Sequence, residues 1–168
     1  MSDAVLSLSI VVAPEGASDA QAVERLNERA FGPGRFARTA YRLREMAEAP
    51  RDLSFVARVS TLLVGANRLT PIRCGTAPAL LLGPLTVDPA FRSRGVARSL
   101  VDMSLAAAKQ QGHKLVILIG DEAYYKRYGF TRVPNGRLTL PGPVDPARLL
   151  VLELEAGAFE GVSGSVGA

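Results

Sequence analysis

The stretch from Leu85 to Leu100, Leu-Thr-Val-Asp-Pro-Ala-Phe-Arg-Ser-Arg-Gly-Val-Ala-Arg-Ser-Leu, limits the fold more than any other part of the chain. It reads as a strand end, a turn, a glycine-containing loop and a helix start. Leu85 to Val87 closes an apolar run that begins near Ala79, and Asp88-Pro89 reverses the chain. Arg92-Ser93-Arg94-Gly95-Val96-Ala97 then enters a segment of helical periodicity. A helix begun this way turns its unpaired first N–H groups back towards the strand end. With the helix dipole they form an anion site suited to phosphate. A side chain at Gly95 would obstruct a phosphate approaching the backbone, and Ala97 is small for the same reason. Arg92, Ser93, Arg94 and Arg98 add charge and donors. The loop matches neither Gly-x-x-x-x-Gly-Lys-Ser/Thr nor Gly-x-Gly-x-x-Gly. By spacing alone, an ordinary strand-to-helix crossover with solvated arginines fits equally well.

Upstream, Leu6 to Val12 predicts a strand ended by Glu15-Gly16. A helix follows, with Ser18 as N-cap, Asp19 in the first turn, and Ala22, Val23, Leu26 and Ala30 at helical spacing before Phe31-Gly32-Pro33-Gly34. A second helix is expected from about Phe36 to Ala47, with Tyr41, Leu43 and Met46 as core candidates. Leu53 to Val59 and Leu62 to about Thr70 predict a hairpin, with Pro71 ending its second strand. Cys74-Gly75-Thr76 turns the chain, and Pro78 belongs to the turn's exit. Ala79 to Val87 is then a long central strand, in which Pro84 predicts a bulge or splay near Gly83 to Leu85. Leu85 and Val87 lie two apart, so their backbone groups point to the same side.

Downstream, the helix runs to about Gln111 with Val96, Leu100, Met103 and Ala107 on its apolar face, Met103 in the core and Gly112 as C-terminal cap. Lys114 to Gly120 is apolar and β-branched. It predicts a buried strand parallel to the one before the crossover. His113, the only histidine, follows the helix end and is read as structural. Asp121 is placed to cap a short helix. Phe130 to Pro134 and Leu149 to Leu154 predict further strands, Asn135-Gly136 a tight turn, and 161–168 a loose tail.

A length of 168 residues makes one domain over 1–168 the default. The single cysteine, Cys74, excludes an internal disulfide, and no Cys/His cluster predicts a metal. The single cysteine makes a reducing cytoplasm the expected location; the N-terminus does not read as a signal peptide, and no apolar run is long enough to span a bilayer. A net charge of +4 suits an anionic ligand. Its arginines are dispersed, which argues against a nucleic-acid partner.

Arg92-x-x-Gly95-x-Ala97 resembles the Gln/Arg-x-x-Gly-x-Gly/Ala signature of the GNAT N-acetyltransferase superfamily. A second block, Tyr124-Tyr125-Lys126-Arg127-Tyr128-Gly129-Phe130, resembles the family's Phe/Tyr-Tyr-x-x-x-Gly-Phe segment in the expected order. Gly120-Asp121-x-x-Tyr124-Tyr125 looks like a branch of bacterial acetyltransferases with unassigned acceptors. The resemblance spans about Ser7 to Leu154 and implies an α/β (α+β) fold. Its central sheet is mixed and mostly antiparallel, with a parallel pair splayed at the cofactor cleft and helices on both faces. It also implies acetyl-CoA as co-substrate, its pyrophosphate on the Arg92–Arg98 loop, including the backbone of Val96, and its pantetheine amides on Leu85 and Val87.

The implied reaction is direct acetyl transfer to an amine, small or peptidic, in a ternary complex, because no cysteine sits in either block. Departure of a thiolate is assisted by a proton, and the resemblance assigns that donor to Tyr125, with Tyr124 and Tyr128 as competitors. A backbone N–H near Leu85 would polarise the thioester carbonyl. Family usage often has asparagine near Asp121, and this chain departs from it. Glu24, Glu28, Glu45 and Asp88 are available carboxylates, none singled out as a general base. Arg35, Arg38 and Tyr41 are expected on the acceptor side, and a homodimer is compatible with the reading. Two rivals remain: a catalytically silent CoA-binding or regulatory module, and a basic nucleic-acid-binding domain.

Overall fold

The computed structural model describes residues 9–31, 39–46 and 49–168. Its strands are β1 (Ile10–Pro14), β2 (Ser54–Val59), β3 (Leu62–Cys74), β4 (Ala77–Leu82), β5 (Thr86–Val87), β6 (Leu115–Ile119), β7 (Thr131–Arg132), β8 (Leu138–Thr139), β9 (Leu149–Glu153) and β10 (Gly164–Gly167). Its helices are α1 (Ala20–Phe31), α2 (Thr39–Met46), α3 (Val96–Gln110) and the short α4 (Glu122–Tyr125). The main path across the sheet is β1-β2-β3-β4-β6-β9-β7. Neighbours on it are antiparallel except for β4 and β6, which pair in parallel at Leu80–Val116 and Leu81–Ile117. This is the mixed, mostly antiparallel α/β sheet expected from the sequence. A second parallel pair, β8 with β10, lies off the path.

Strand alternation sorts the core onto two faces. Leu80, Leu82, Val116, Leu118 and Leu150 pack with Val101 of α3. Leu81, Ile117 and Val151 turn the other way and pack with Leu43 of α2. Val23 and Leu26 of α1 join Val56 and Ala66, while Val96 and Leu100 of α3 join Phe55, Ala57 and Val64. So α1 and α2 cover one face and α3 the other. Gly65 permits the close seat of α3. A Cβ there would lie 2.8 Å from Val96 Cγ1 and 3.2 Å from the Thr86 carbonyl oxygen.

Several expectations need correction. The first strand starts at Ile10, and 1–8 lie outside the described residues. Ser18 does not cap α1; Asp19 Oδ2 accepts from Gly16 N at 2.8 Å instead, and Ala30 is exposed. Of the core candidates on α2, Leu43 is buried, while Phe36 and the side chains of Tyr41 and Met46 lie outside the described residues.

Pro71 and Pro78 lie within strands rather than ending them. Arg68 O turns to Gly83 and Gly75 N to Ser165 of β10, so alternation aims Pro71 N at the β2/β10 side. There β2 has ended opposite Arg68 and β10 begins opposite Arg73, so no ladder bond is lost. Pro78 likewise precedes the parallel pairing to β6, which begins at Leu80.

Met103 is 43% exposed, not core; the buried stripe of α3 is Val96, Leu100, Val101, Ser104 and Ala108. Residues 161–168 are not a loose tail. Val166 pairs with Cys74 and Ser165 with Thr139, and Phe159, Val162 and Val166 are buried. Arg137 fastens this segment, stacking 4.1 Å over the Phe159 ring and donating to the carbonyls of Phe159 and Val162.

Gly65→Ala is expected to destabilise the fold by about 1–3 kcal/mol through overpacking against Val96 and Leu100. A lowered thermal midpoint would report it, and an unchanged midpoint would show that α3 can shift without cost.

Candidate active site

The strand expected over Ala79 to Val87 is two strands with a break between them. Leu82 pairs with Leu69 and Thr86 with Ala66, so the chain takes four steps where β3 takes three. The extra residue is a bulge at Gly83–Leu85, where the sequence placed it. Pairing to β6 stops at Leu81–Ile117, although β6 continues to Ile119. A slot therefore opens between β5 and the end of β6.

Backbone direction in the slot follows from one hydrogen bond. Asp88 N donates to Val64 O at 2.7 Å, so Thr86 and Asp88 face β3 and Val87 presents its N–H and carbonyl to the opposite side. Leu85 lies just before β5 in the bulge and is half-buried. Three contacts hold this geometry. Gly83 N donates to Arg68 O at 2.8 Å, Arg44 Nε donates to Gly83 O at 2.9 Å, and Thr86 Oγ1 donates to Asn27 Oδ1 at 2.5 Å. Arg68 is itself held by a two-pronged bond to the buried Glu15, at 3.0 and 2.9 Å.

Below the slot, Asp88 caps a single turn over Pro89–Phe91 by accepting from Ala90 N at 3.0 Å. Ser93 then lies at φ 64 and Gly95, the N-cap of α3, at φ 80. Ser99 is the first residue to close a turn of α3, onto Gly95 O at 3.0 Å. The N–H groups of Val96, Ala97 and Arg98 precede it and are the orphan donors of the helix start. A Cβ at Gly95 would meet no protein atom within 4 Å, so it would project into the open space before these donors. Arg92, Ser93 and Arg94 are exposed around that space, and the Arg94 guanidinium lies 5.9 Å from the Phe91 ring centroid. Val96 turns its side chain inward to the core. The Arg98 side chain extends along the helix to Asp102, 3.8 Å away.

At the far end of β6 stands the tyrosine block. Asp121 caps α4, accepting from Ala123 N at 3.1 Å. The Tyr125 ring covers Gly120, where a Cβ would lie 2.6 Å from Tyr125 Cε2. It meets Tyr124 and Phe130 edge-on, with centroids 4.9 and 6.0 Å away. Tyr124 and Tyr128 occupy each other, hydroxyl to hydroxyl, at 3.0 Å. Tyr125 Oη has no hydrogen-bond partner among the described residues. Burial pushes Tyr125 up to about 12, reinforced by Tyr124 and opposed by Arg148 and Arg44. Burial and the bond to Tyr124 push Tyr128 upward as well.

Arg44, Arg148 and Gly65 did not stand out in the sequence, and Gly120 did so only as part of the block with Asp121, Tyr124 and Tyr125. A glycine inside an apolar strand marks close backbone approach, and that signal was present at Gly65. Arg44 and Arg148 become visible only through tertiary placement. Glu24 and Glu28 lie on α1, Asp88 pairs with Arg29 at 3.6 Å, and the Glu45, Arg35, Arg38 and Tyr41 side chains lie outside the described residues. No group of three or more potential metal ligands occurs among the described residues.

Residues 50–132 match the family described as the acetyltransferase (GNAT) domain. YhbS of Escherichia coli K12, an uncharacterised N-acetyltransferase, is 34% identical over 85 residues, 51% of each chain, so the match spans about half that relative's length. YjhQ, another uncharacterised E. coli K12 N-acetyltransferase, is 31% identical over 117 residues, 67% of this chain and 65% of that one. The crystal structure of YhbS in complex with CoA superposes with a TM-score of 0.81 at 26% identity, over 96% of this chain and 90% of that one. The chain belongs to the GNAT N-acetyltransferase superfamily. The fold of a GNAT acetyltransferase from Brucella melitensis, solved with acetyl-CoA, also matches, with a TM-score of 0.62 at 24% identity over 92% of this chain and all of that one. The GNAT match contains the split strand, the glycine loop and the tyrosine block, whereas Arg44 and Arg148 fall outside it.

The two raised tyrosines set a pH dependence. An ordinary tyrosine titrates near 10, so stability is complete below about 10 and declines as pH rises towards the folded value of about 12. Chemical denaturation across that window should show a smaller decline in Tyr125→Phe than in the wild type. Equal declines would mean that Tyr125 is not held neutral by the fold.

Proposed function

We propose that this GNAT protein is an N-acetyltransferase that passes an acetyl group from acetyl-CoA directly to an amine in a ternary complex. The observation that carries the reading is the bulged strand, whose pairing to β6 stops at Leu81–Ile117, set between a helix start with orphan donors and the tyrosine block that follows β6. YhbS, the structural relative, was solved with CoA. The residues here fit that co-substrate on their own terms, since the start of α3 offers orphan donors and open space before Gly95.

In this reading the N–H groups of Val96, Ala97 and Arg98 hold the pyrophosphate, with Arg92, Ser93 and Arg94 around it and Gly95 leaving room. Val87 and Leu85 pair with the pantetheine amides, and a bulge N–H near Leu85 polarises the carbonyl. Acetyl-CoA supplies an activated thioester. Tyr125, like any tyrosine, is protonated at neutral pH, burial raises it further to about 12, and its hydroxyl can hydrogen-bond to a departing thiolate. Its two competitors are engaged with each other, which favours Tyr125. Cys74, the only cysteine, is buried with its thiol pushed up to about 11 by burial, which speaks against an acyl-enzyme. The Tyr125 hydroxyl, which has no hydrogen-bond partner among the described residues, weighs against a silent CoA-binding module. A cytoplasmic enzyme of one domain over 1–168 is consistent with the single cysteine, and no helix among the described residues is long and apolar enough to cross a membrane.

Two measurements test this reading. Gly95→Asn tolerates the left-handed backbone but fills the space before the donors. CoA affinity by calorimetry should fall about 10- to 100-fold in a protein that still folds. Unchanged affinity in folded Gly95→Asn would remove the loop from the site. Tyr125→Phe keeps the ring on Gly120 and removes only the hydroxyl. The single-turnover rate should drop by about 10²–10⁴-fold with CoA affinity nearly unchanged, and Tyr124→Phe should matter less. A full chemical step in Tyr125→Phe would pass the role to Tyr124, Tyr128 or water.

A further inference from the structure

The bulge has a single residue across from it. Ala66 pairs with Thr86, and Gly83 N donates to Arg68 O, so Pro84 and Leu85 together stand opposite Asn67 of β3. Gly65, Asn67 and Leu69 alternate onto one face of β3, the face that α3 covers. Asn67 is the polar member of the three, and it is 0% exposed. Its Nδ2 donates to Ser104 Oγ of α3 at 3.0 Å, and Ser104 Oγ donates to Leu100 O, one turn back, at 2.6 Å. The Ser104 hydroxyl has a single proton and gives it to Leu100, so towards Asn67 it accepts. That fixes the amide orientation, with Nδ2 towards the helix. Oδ1 is left buried, with no hydrogen-bond partner among the described residues.

Such a tie is a poor device for stability. Leucine at 67 and alanine at 104 would keep this face apolar and leave no orphan acceptor. Around the tie the contacts are apolar: Val96 and Leu100 pack with Phe55, Ala57 and Val64, and Val101 and Ala108 with Leu69, Leu80 and Leu82. Apolar contact is non-directional and lets a helix slide along its seat, whereas a hydrogen bond holds one geometry. Among the described residues, Asn67 to Ser104 is the one side-chain hydrogen bond between α3 and a strand. Gly65 governs how near α3 comes to the sheet, and Asn67 governs where along its axis it stops. Ser104 follows Val96 by about two turns, roughly 12 Å of helix. Its place therefore sets that of the N–H groups of Val96, Ala97 and Arg98.

We propose that Asn67 is a positioning residue for the co-substrate. Through Ser104 it fixes the axial place of α3 against the bulge. It thereby fixes the span between the donors that hold the CoA pyrophosphate and the slot that holds the pantetheine. This rests on the acetyl-CoA reading above and adds to it a residue that does not touch the co-substrate. CoA engages both subsites through one connected chain, so its affinity depends on their spacing. A fragment that reaches one subsite does not sense that spacing.

The test compares whole and partial ligands. In Asn67→Leu/Ser104→Ala both polar partners leave together, so the thermal midpoint should hold or rise. Calorimetry should find CoA bound about 10- to 100-fold more weakly than by the wild type. Amide NMR titration, which reads weak fragments, should find ADP at the helix start and pantetheine in the slot each bound as in the wild type. Unchanged CoA affinity overturns this inference and leaves the acetyltransferase reading standing. An equal loss for ADP and CoA also overturns it, because α3 would then be loosened rather than displaced. Ser104→Ala alone cuts the same link by removing one hydroxyl, and supplies the same comparison should the double variant not fold. Failure of the wild type to bind CoA removes the cofactor reading, and this inference with it.

Discussion

The excess residue between Leu82 and Thr86 governs the site. Had the strand run straight, its outer edge would have gone on pairing with β6 past Ile117, and no backbone group at Val87 would face open space. The bulge ends that pairing while keeping both halves of the strand on β3, so the sheet opens without coming apart. Such an irregularity needs external fixing, because bulge backbone groups have lost their ladder partners. Arg68 O takes the N–H of Gly83, Arg44 takes its carbonyl, and Asn27 takes the Thr86 hydroxyl. Arg44 and Asn27 both come from helices on the face opposite α3. The split is thus held from one side while the helix that begins with free donors lies on the other.

Buried polar ties carry this arrangement back to the first strand. Glu15 follows β1 and is 8% exposed, yet it is answered by both prongs of Arg68, whose carbonyl receives Gly83 N. Removing one partner of such a pair would leave a nearly buried charge alone, a loss of roughly 3–5 kcal/mol. Asp19 works similarly: the Arg58 hydrogen bond, then the Gly16 backbone, holds its carboxyl below the usual range. The entry to α1 is thereby fixed to β2 and β3, and α1 in turn presents Asn27 to the split strand.

Much of this was legible in the sequence because local rules and tertiary demands coincide there. Pro84 announced the bulge, Gly95 the helix start, Gly112 the helix end and Asp121 the cap. The misreadings arose where a local rule met a neighbour it could not see. Pro71 and Pro78 look like strand breakers, but each aims its missing donor where no partner strand runs. Met103 fits the apolar period on paper, yet the buried stripe of α3 runs through Val101, Ser104 and Ala108 and leaves Met103 outside it. The small, polar 161–168 segment looked loose because its anchors lie elsewhere, in Arg137 and on the edges of β3 and β8. Arg44 could not be read at all, since no spacing links it to the Gly83 carbonyl it reaches.

Missing side chains shape the site as much as those present. Gly65 lets the start of α3 come down onto β3 just where Val87 lies opposite it, which sets the distance between the helix donors and the slot. Gly120 leaves the footprint that the Tyr125 ring fills, so the hydroxyl is carried by a ring seated on the backbone of β6 rather than by a freely turning side chain. Gly95 differs from both, since no protein atom crowds it and its requirement is the backbone angle together with unfilled space. The first two glycines are therefore matters of packing, and substitution there acts through the positions of α3 and Tyr125. The third acts on the space before the helix start. The left-handed backbone alone selects glycine at this helix start, so what the loop adds beyond an ordinary strand-to-helix crossover is the set of orphan donors that face the unfilled space.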